Sequence, residues 1–166
     1  MKLTKNTYCS YCGEAFTTAP TYPRQCQNCN SVTYVNPLPV AVVLLPIEGG
    51  LLTVRRNIEP KKGMLALPGG FIEVGESWQK AASRELFEET GFEVSPEEIA
   101  LFDVHSAPDG MVLIFGIANT QKNYVLSGFE SNQESSELML ITGPVELAFP
   151  LHNQVVKKYF GYREDS

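Results

Sequence analysis

The chain has no apolar run approaching the roughly 20 residues that a membrane-spanning helix needs. The longest, "VAVVLLPI" from Val40 to Ile47, is strand-sized and contains a proline, so no membrane partner is expected. The N-terminus "MKLTKNTYCS" lacks the apolar core of a signal peptide, and a reducing cytoplasm is the expected setting. Basic residues are scarce. Thirteen Lys and Arg against 19 Asp and Glu leave a net charge of −6 and a pI near 5.0. An acidic surface repels phosphodiester backbones, and the few basic residues of the N-terminal segment, such as Arg24, form no stripe, which disfavours nucleic acid as a partner. A small phosphate compound stays compatible if a metal cation supplies the positive charge. The two histidines, His105 and His152, have no partnering motif and are expected to serve as hydrogen-bonded structural residues. The single tryptophan, Trp78, is read as a packing residue. Internal repeats and low-complexity segments are absent.

What is present is an ordinary globular mixture, 43% hydrophobic and 19% charged over 166 residues. That suits one domain with a small appendage. Cys9, Cys12, Cys26 and Cys29 form two Cys-x-x-Cys pairs, "CSYC" and "CQNC". Two residues between cysteines let a tight turn aim both sulfurs at one centre, and two such knuckles complete a tetrahedral zinc site. Gly13 and Asn30 follow the pairs, where a knuckle needs a residue that tolerates positive φ. Disulfides are disfavoured without a secretion signal. Four protein thiolates leave no open position on the metal, so this zinc is expected to be structural. The expected organisation is a zinc ribbon over residues 1–36 and a larger domain over 37–166, with "NPLP" as a rigid hinge.

From Val40 the pattern turns strand-rich. "VAVVLLPIE" and "LLTVRR" flank Gly49-Gly50 and read as a β-hairpin. "MLALPGGFIEV" reads as a strand, a Pro-Gly-Gly break and a second short strand. Ser77 can cap a helix running to Thr90, with Gly91 as its stop. "SPEE" starts a helix that gives way to the strand "IALFDVHSA". "MVLIFGIA" reads as a strand buried on both faces. "NQESSELMLIT" turns from polar to strand-like, and "PVELAF" and "HNQVVKKYFGY" read as a short and a longer helix. Interleaved strands and helices imply an α/β layered domain.

The helix after Ser77 holds an electrostatic conflict. At about 100° per residue, Glu85, Glu88 and Glu89 fall on the arc that Trp78, Ala81 and Ala82 occupy one or two turns earlier. A solvated charged face would place carboxylates opposite the apolar residues and intersperse lysines, because like charges at this spacing repel. Here only Arg84 is near. A divalent cation resolves the conflict, and oxygen-only ligands select Mg²⁺ or Mn²⁺.

The stretch "GGFIEVGESWQKAASRELFEETGF" resembles the Nudix box, Gly-x5-Glu-x7-Arg-Glu-U-x-Glu-Glu-x-Gly-U, where U is bulky and apolar. Gly70, Glu76, Arg84, Glu85, Leu86, Glu88, Glu89, Gly91 and Phe92 fill its fixed positions; Phe92 stands where an aliphatic residue is more usual. The resemblance covers about residues 38–160, and a preceding zinc ribbon is known in some branches of the superfamily. It implies an α/β/α sandwich and Mg²⁺- or Mn²⁺-dependent hydrolysis, by metal-activated water, of a diphosphate linked to another moiety. By position, Glu85, Glu88, Glu89 and the Gly70 carbonyl are the implied metal ligands, and Arg84 braces the glutamates, with Glu76 as its expected partner. The implied base is Glu88 or Glu85 in the box, or a later carboxylate, Glu134 or Glu137. Homodimers are common in the family. Arg55 or Arg56, ending "LLTVRR" and alternating in direction, is expected to reach the substrate phosphates.

The substrate is less legible. The NADH-cleaving branch carries a Ser-Gln-Pro-Trp-Trp-type signature where this chain has "EVSPEEIALF". Members that hydrolyse ADP-ribose often carry a proline about sixteen residues past the box, where Pro108 stands; Pro108 also suits a plain turn before Asp109-Gly110. ADP-ribose is the first expectation and FAD the second. Tyr34, Phe71, Phe102 and Phe115 are candidates to stack on a base. A contrasting reading is a non-catalytic sensor of nucleotide or sugar diphosphates, or a zinc-ribbon adaptor; retention of every box glutamate speaks for the enzyme.

Overall fold

The computed structural model describes residues 6–17, 21–121 and 129–164, the last three by backbone alone. Its contacts divide into two compact units, Met1–Pro37 and Leu38–Ser166.

The smaller unit is built on turns. Strands β1 (Arg24–Gln25) and β2 (Val32–Thr33) form a short antiparallel ladder. In each Cys-x-x-Cys stretch the chain folds back in the same way. Gly13 N–H donates to the Cys9 carbonyl at 3.0 Å and Asn30 N–H to the Cys26 carbonyl at 2.9 Å. Gly13 and Asn30 take the positive φ such a turn requires, 76° and 59°. The Arg24 guanidinium lies 4.3 Å from the centre of the Phe16 ring.

The larger unit has two sheets between two helices. The mixed sheet has the order β7 (Gly69–Phe71), β3 (Leu38–Leu44), β9 (Met111–Ala118), β8 (Ile99–Ser106), with β3 and β9 parallel. The antiparallel sheet runs β10 (Ser135–Ile141), β5 (Gly50–Arg56), β4 (Pro46–Ile47), with β6 (Leu65–Ala66) also on β5. Strand β3 shows the layering. Side chains alternate across a strand, so Ala41 and Val43 join Ala81, Ala82 and Leu86 of α1 (Trp78–Thr90) in one core. Val42 and Leu44 join Val155, Val156, Tyr159 and Phe160 of α2 (Pro150–Glu164) in the other. This is the expected α/β/α sandwich.

Three local expectations are corrected. The hairpin at Gly49-Gly50 is short: β5 pairs with β4, while β3 pairs with β7 and β9 in the other sheet, so the chain changes sheets near Leu45. The segment "PVELAF" is not helical. Leu147 N–H donates to Asn153 Oδ1 and Ala148 N–H to the Leu65 carbonyl, both at 2.7 Å, and these bonds take the groups a helix turn would use. The terminal helix starts at Pro150, where the missing N–H costs nothing. Strand β9 is fully buried only at Leu113, Phe115, Gly116 and Ala118; its other side chains are half-buried.

Candidate active site

Helix α1 is bounded as its sequence predicts. Ser77 accepts from Lys80 N–H at 3.3 Å, and Gly91, in the left-handed region at φ 76°, donates to the Phe87 carbonyl at 2.8 Å. Between these caps the buried face carries Ala81, Ala82 and Leu86, and with them Glu85 and Glu89. The two carboxylates are one turn apart and point at the same place. Glu134, in the loop before β10, comes to them. Glu85, Glu89 and Glu134 each offer an oxygen within 4.8 Å of the others. Glu88 stands at the rim, its side chain 55% exposed and 3.1 Å from Arg84 Nη1.

The Leu-Pro-Gly-Gly turn closes the other side. Gly69 N–H donates to Glu89 Oε2 at 3.2 Å. A side chain at Gly69 would run into the Ala41 carbonyl and lie 2.7 Å from Val42 Cα, so only glycine fits. At Gly70 a Cβ would fall 2.5 Å from the Glu85 carboxyl carbon. The bare backbone there leaves room for the carboxylate. Gly70→Ala is therefore expected to displace Glu85 and lower kcat/KM at least about tenfold, with an unchanged circular dichroism spectrum; unchanged turnover would show that the Glu85 position does not matter.

Arg84 organises the rim. Its guanidinium reaches Glu76 at 2.8 Å, Glu85 at 2.7 Å, Glu88 at 3.1 Å and the Phe71 carbonyl at 3.1 Å. It holds the Glu76 carboxyl below the usual carboxylate range. Burial pushes Glu89 up to about 8, against the pull of Gly69 N–H, and the Glu85 and Glu134 charges add to the rise. Burial also raises Glu85, although Arg84 opposes it. Carboxylates gathered, buried and raised in this way are costly unless protonated or neutralised by a cation.

The other candidate residues separate. Arg55 is bonded to Glu137 at 2.6 Å and to the Gly63 carbonyl at 2.9 Å. Arg56 donates to the Pro60 carbonyl at 2.9 Å and lies 5.0 Å from the centre of the Phe149 ring. Glu137 is thus held by an arginine and outside the converging trio. Phe115 is fully buried and cannot stack on a ligand, and Phe102 packs against Tyr159. Phe71 and Tyr34 keep exposed rings. Pro108 sits in the turn Ala107–Gly110 that joins β8 to β9, closed by Gly110 N–H on the Ala107 carbonyl at 3.1 Å. His152 is buried and accepts from Leu67 N–H at 3.2 Å; burial drives it down to about 3, so it is neutral. His105 lies 3.2 Å from Asp103, and Trp78 packs over Gly116. Asn132 and Asn57, which fix the Glu134 loop, escaped the sequence reading. The available signal was an asparagine two residues ahead of a glutamate, the pattern of an Asx turn.

In the smaller unit all four cysteines are free thiols clustered within 4.8 Å of one another. The Cys9–Cys29 and Cys12–Cys26 sulfurs are 3.7 Å apart. Zinc bonded tetrahedrally to sulfur at about 2.3 Å separates its ligands by roughly 3.8 Å, so the cluster has the dimensions of a zinc site. Among the described residues no helix is long and apolar enough to cross a membrane.

Comparison with known proteins agrees with this geometry. The family described as NUDIX domain matches residues 35–139. An ADP-ribose pyrophosphatase of Methanocaldococcus jannaschii is 29% identical over 135 residues, 78% of this chain and 77% of its own length. A NAD-capped RNA hydrolase NudC of Edwardsiella ictaluri is 32% identical over 88 residues; that match spans 52% of this chain but 34% of the relative. The crystal structure of a NUDIX hydrolase from Nitrosomonas europaea aligns with a TM-score of 0.80 at 30% identity, covering 96% of this chain and 93% of that one.

Proposed function

Because the chain belongs to the Nudix family, we propose that it hydrolyses the pyrophosphate bond of a nucleoside diphosphate linked to a second moiety, ADP-ribose in first place and FAD in second. The observation that carries this reading is the convergence of Glu85, Glu89 and Glu134 beside the bare backbone of Gly70. The ADP-ribose preference is supported by the archaeal ADP-ribose pyrophosphatase, which is similar over most of both chains. Substrate choice among the NudC relatives carries less weight, since this chain spans about a third of their length.

An acidic, oxygen-only donor set that is partly buried fits Mg²⁺ or Mn²⁺ rather than zinc. Glu85, Glu88, Glu89 and the Gly70 carbonyl are the groups that would hold the ion, with Glu134 joining them. When bound, such an ion neutralises phosphate charge and makes water more acidic. The chain's own residues do the rest. Arg84 fixes the direction of Glu85 and Glu88 through two ion pairs. For proton acceptance the candidates are the box glutamates Glu88 and Glu85; Glu137 is tied to Arg55 away from the converging trio. Arg55 and Arg56 brace the end of β5, and a substrate phosphate would compete with Glu137 for Arg55. The four cysteines would hold a structural zinc, and a cytoplasmic setting is proposed with it.

The test is a panel of ADP-ribose, FAD, NADH, NAD-capped RNA, dinucleoside polyphosphates and deoxynucleotides with Mg²⁺. ADP-ribose should give the highest kcat/KM, with AMP and ribose 5-phosphate as products, and Glu88→Gln should lower it. No turnover of any compound would leave the sensor reading in place.

A further inference from the structure

Glu134 reaches the metal helix from a loop about 45 residues further along the chain, and two asparagines hold that loop. The last carbonyls of α1 lie beyond the helix ladder. Gly91 N–H takes that of Phe87. Those of Glu88 and Glu89 accept from Asn132 Nδ2 at 3.0 and 3.4 Å. The other end of the same amide, Asn132 Oδ1, accepts from Glu134 N–H at 2.9 Å and Ser135 N–H at 2.7 Å. Asn57, one residue past β5, adds a second hold: its side chain donates to the Asn132 carbonyl at 3.0 Å and its N–H to the Glu134 carbonyl at 2.7 Å. The Glu134 backbone is therefore tied at both its N–H and its carbonyl. Without a cation, charge repulsion would drive Glu134 away from Glu85 and Glu89. The amide of Asn132 opposes that with donors facing the helix end and an acceptor facing the loop.

We infer that Asn132 is a positioning residue: its side-chain amide bolts the Glu134 loop to the C-terminal end of α1 and so completes the carboxylate site for a divalent cation. The inference rests on the metal-dependent reading above and goes beyond it by naming what assembles the site. Alanine loses both halves of the clamp. Serine keeps a short acceptor for the loop N–H groups but cannot reach the helix carbonyls.

The experiment measures Mn²⁺ binding to the full chain without substrate, by paramagnetic resonance of the free ion, alongside kcat and the thermal midpoint. Asn132→Ala should weaken Mn²⁺ about tenfold, within the cost of losing an outer partner of a metal ligand, and should lower kcat. In a Glu134→Gln background the same substitution should change Mn²⁺ affinity less than about twofold, because coupled residues are not additive. A purely structural asparagine would lower the thermal midpoint and leave the Mn²⁺ affinity unchanged, which overturns the inference. So would losses from Asn132→Ala and Glu134→Gln that multiply. If Asn132→Ala does not fold, Asn132→Ser carries the same cycle with the same criteria. Glu85→Gln separates the two readings. Unchanged Mn²⁺ affinity there defeats the metal site itself, and the clamp with it. Weakened binding there together with an inert Asn132→Ala defeats the clamp alone.

Discussion

Glutamine in place of Glu89 is expected to cost at least about 100-fold in kcat/KM, the upper end of what even outer partners of a metal cost, while making the metal-free protein more stable near pH 8. The two effects share one cause. Glu89 is buried, only the N–H of Gly69 and the charge of Arg56 favour its ionised form, and it faces Glu85 and Glu134. Its folded pKa is raised from the ordinary 4.5 to about 8. The sign follows. Between those values the folded state keeps a proton that the unfolded chain releases. The contribution is fully present below about 4.5 and is lost as pH rises through 8, at about 1.4 kcal/mol per pH unit for one proton. Glu85, raised by burial, acts in the same direction. Asp103, held down by Lys158, and Glu76, held down by Arg84, act oppositely, but their contributions are lost on acidification below the ordinary carboxylate range. His152, driven down to about 3, acts oppositely up to its ordinary value of 6.5, so wild type without Mg²⁺ should lose thermal stability from about pH 6.5 to pH 8, and Glu89→Gln should flatten that slope. Mg²⁺ should stabilise the wild type, because it binds the folded state alone, and should do little for the variant. A wild-type profile flat in pH, with full turnover by Glu89→Gln, would remove Glu89 from the site.

The parts of this site that were legible in the sequence are those that depend on neighbours along the chain. Helical spacing placed Glu85 and Glu89 beside Ala81 and Ala82, and the caps at Ser77 and Gly91 are local signals. The two knuckles are equally local, with Gly13 and Asn30 in the positive-φ positions their spacing demands. The less legible parts depend on distant partners. That β3 leaves β5 for β9, some 70 residues onward, is decided by packing rather than by its own residues. "PVELAF" has helix-forming residues, yet backbone bonds to Asn153 and Leu65 hold it open. Glu134 and Glu137 looked equivalent. They separate because the ladder with β5 slips between Ser135 and Glu137 and because Asn132 turns the chain at Glu134. Glu88 fell near the edge of the predicted arc, and Arg84 holds it at the rim.

Removing zinc is expected to unfold the Met1–Pro37 unit. Among its described residues the buried apolar side chains are those of Cys9 and Cys26 themselves. Its ladder pairs two residues with two, and a segment of this size rarely holds a fold on apolar burial alone. What organises it is four sulfurs brought to one point by two turns of the same form. Thiolates so close repel one another unless a cation sits among them. Binding free energies of about 10–16 kcal/mol are typical when a structural zinc drives folding, far more than two short turns can supply. Purified protein should carry about one zinc per chain. A strong chelator at neutral pH should collapse the amide dispersion of residues 6–34, restored by added zinc, and should make all four thiols reactive at once. Cys26→Ser should reproduce the loss without chelator. The Leu38–Ser166 unit has its own two cores, formed by α1 and α2 on opposite faces of β3, and its resonances should stay dispersed throughout. Dispersed signals from residues 6–34 in zinc-free, fully reduced protein would show that the knuckles fold without a metal.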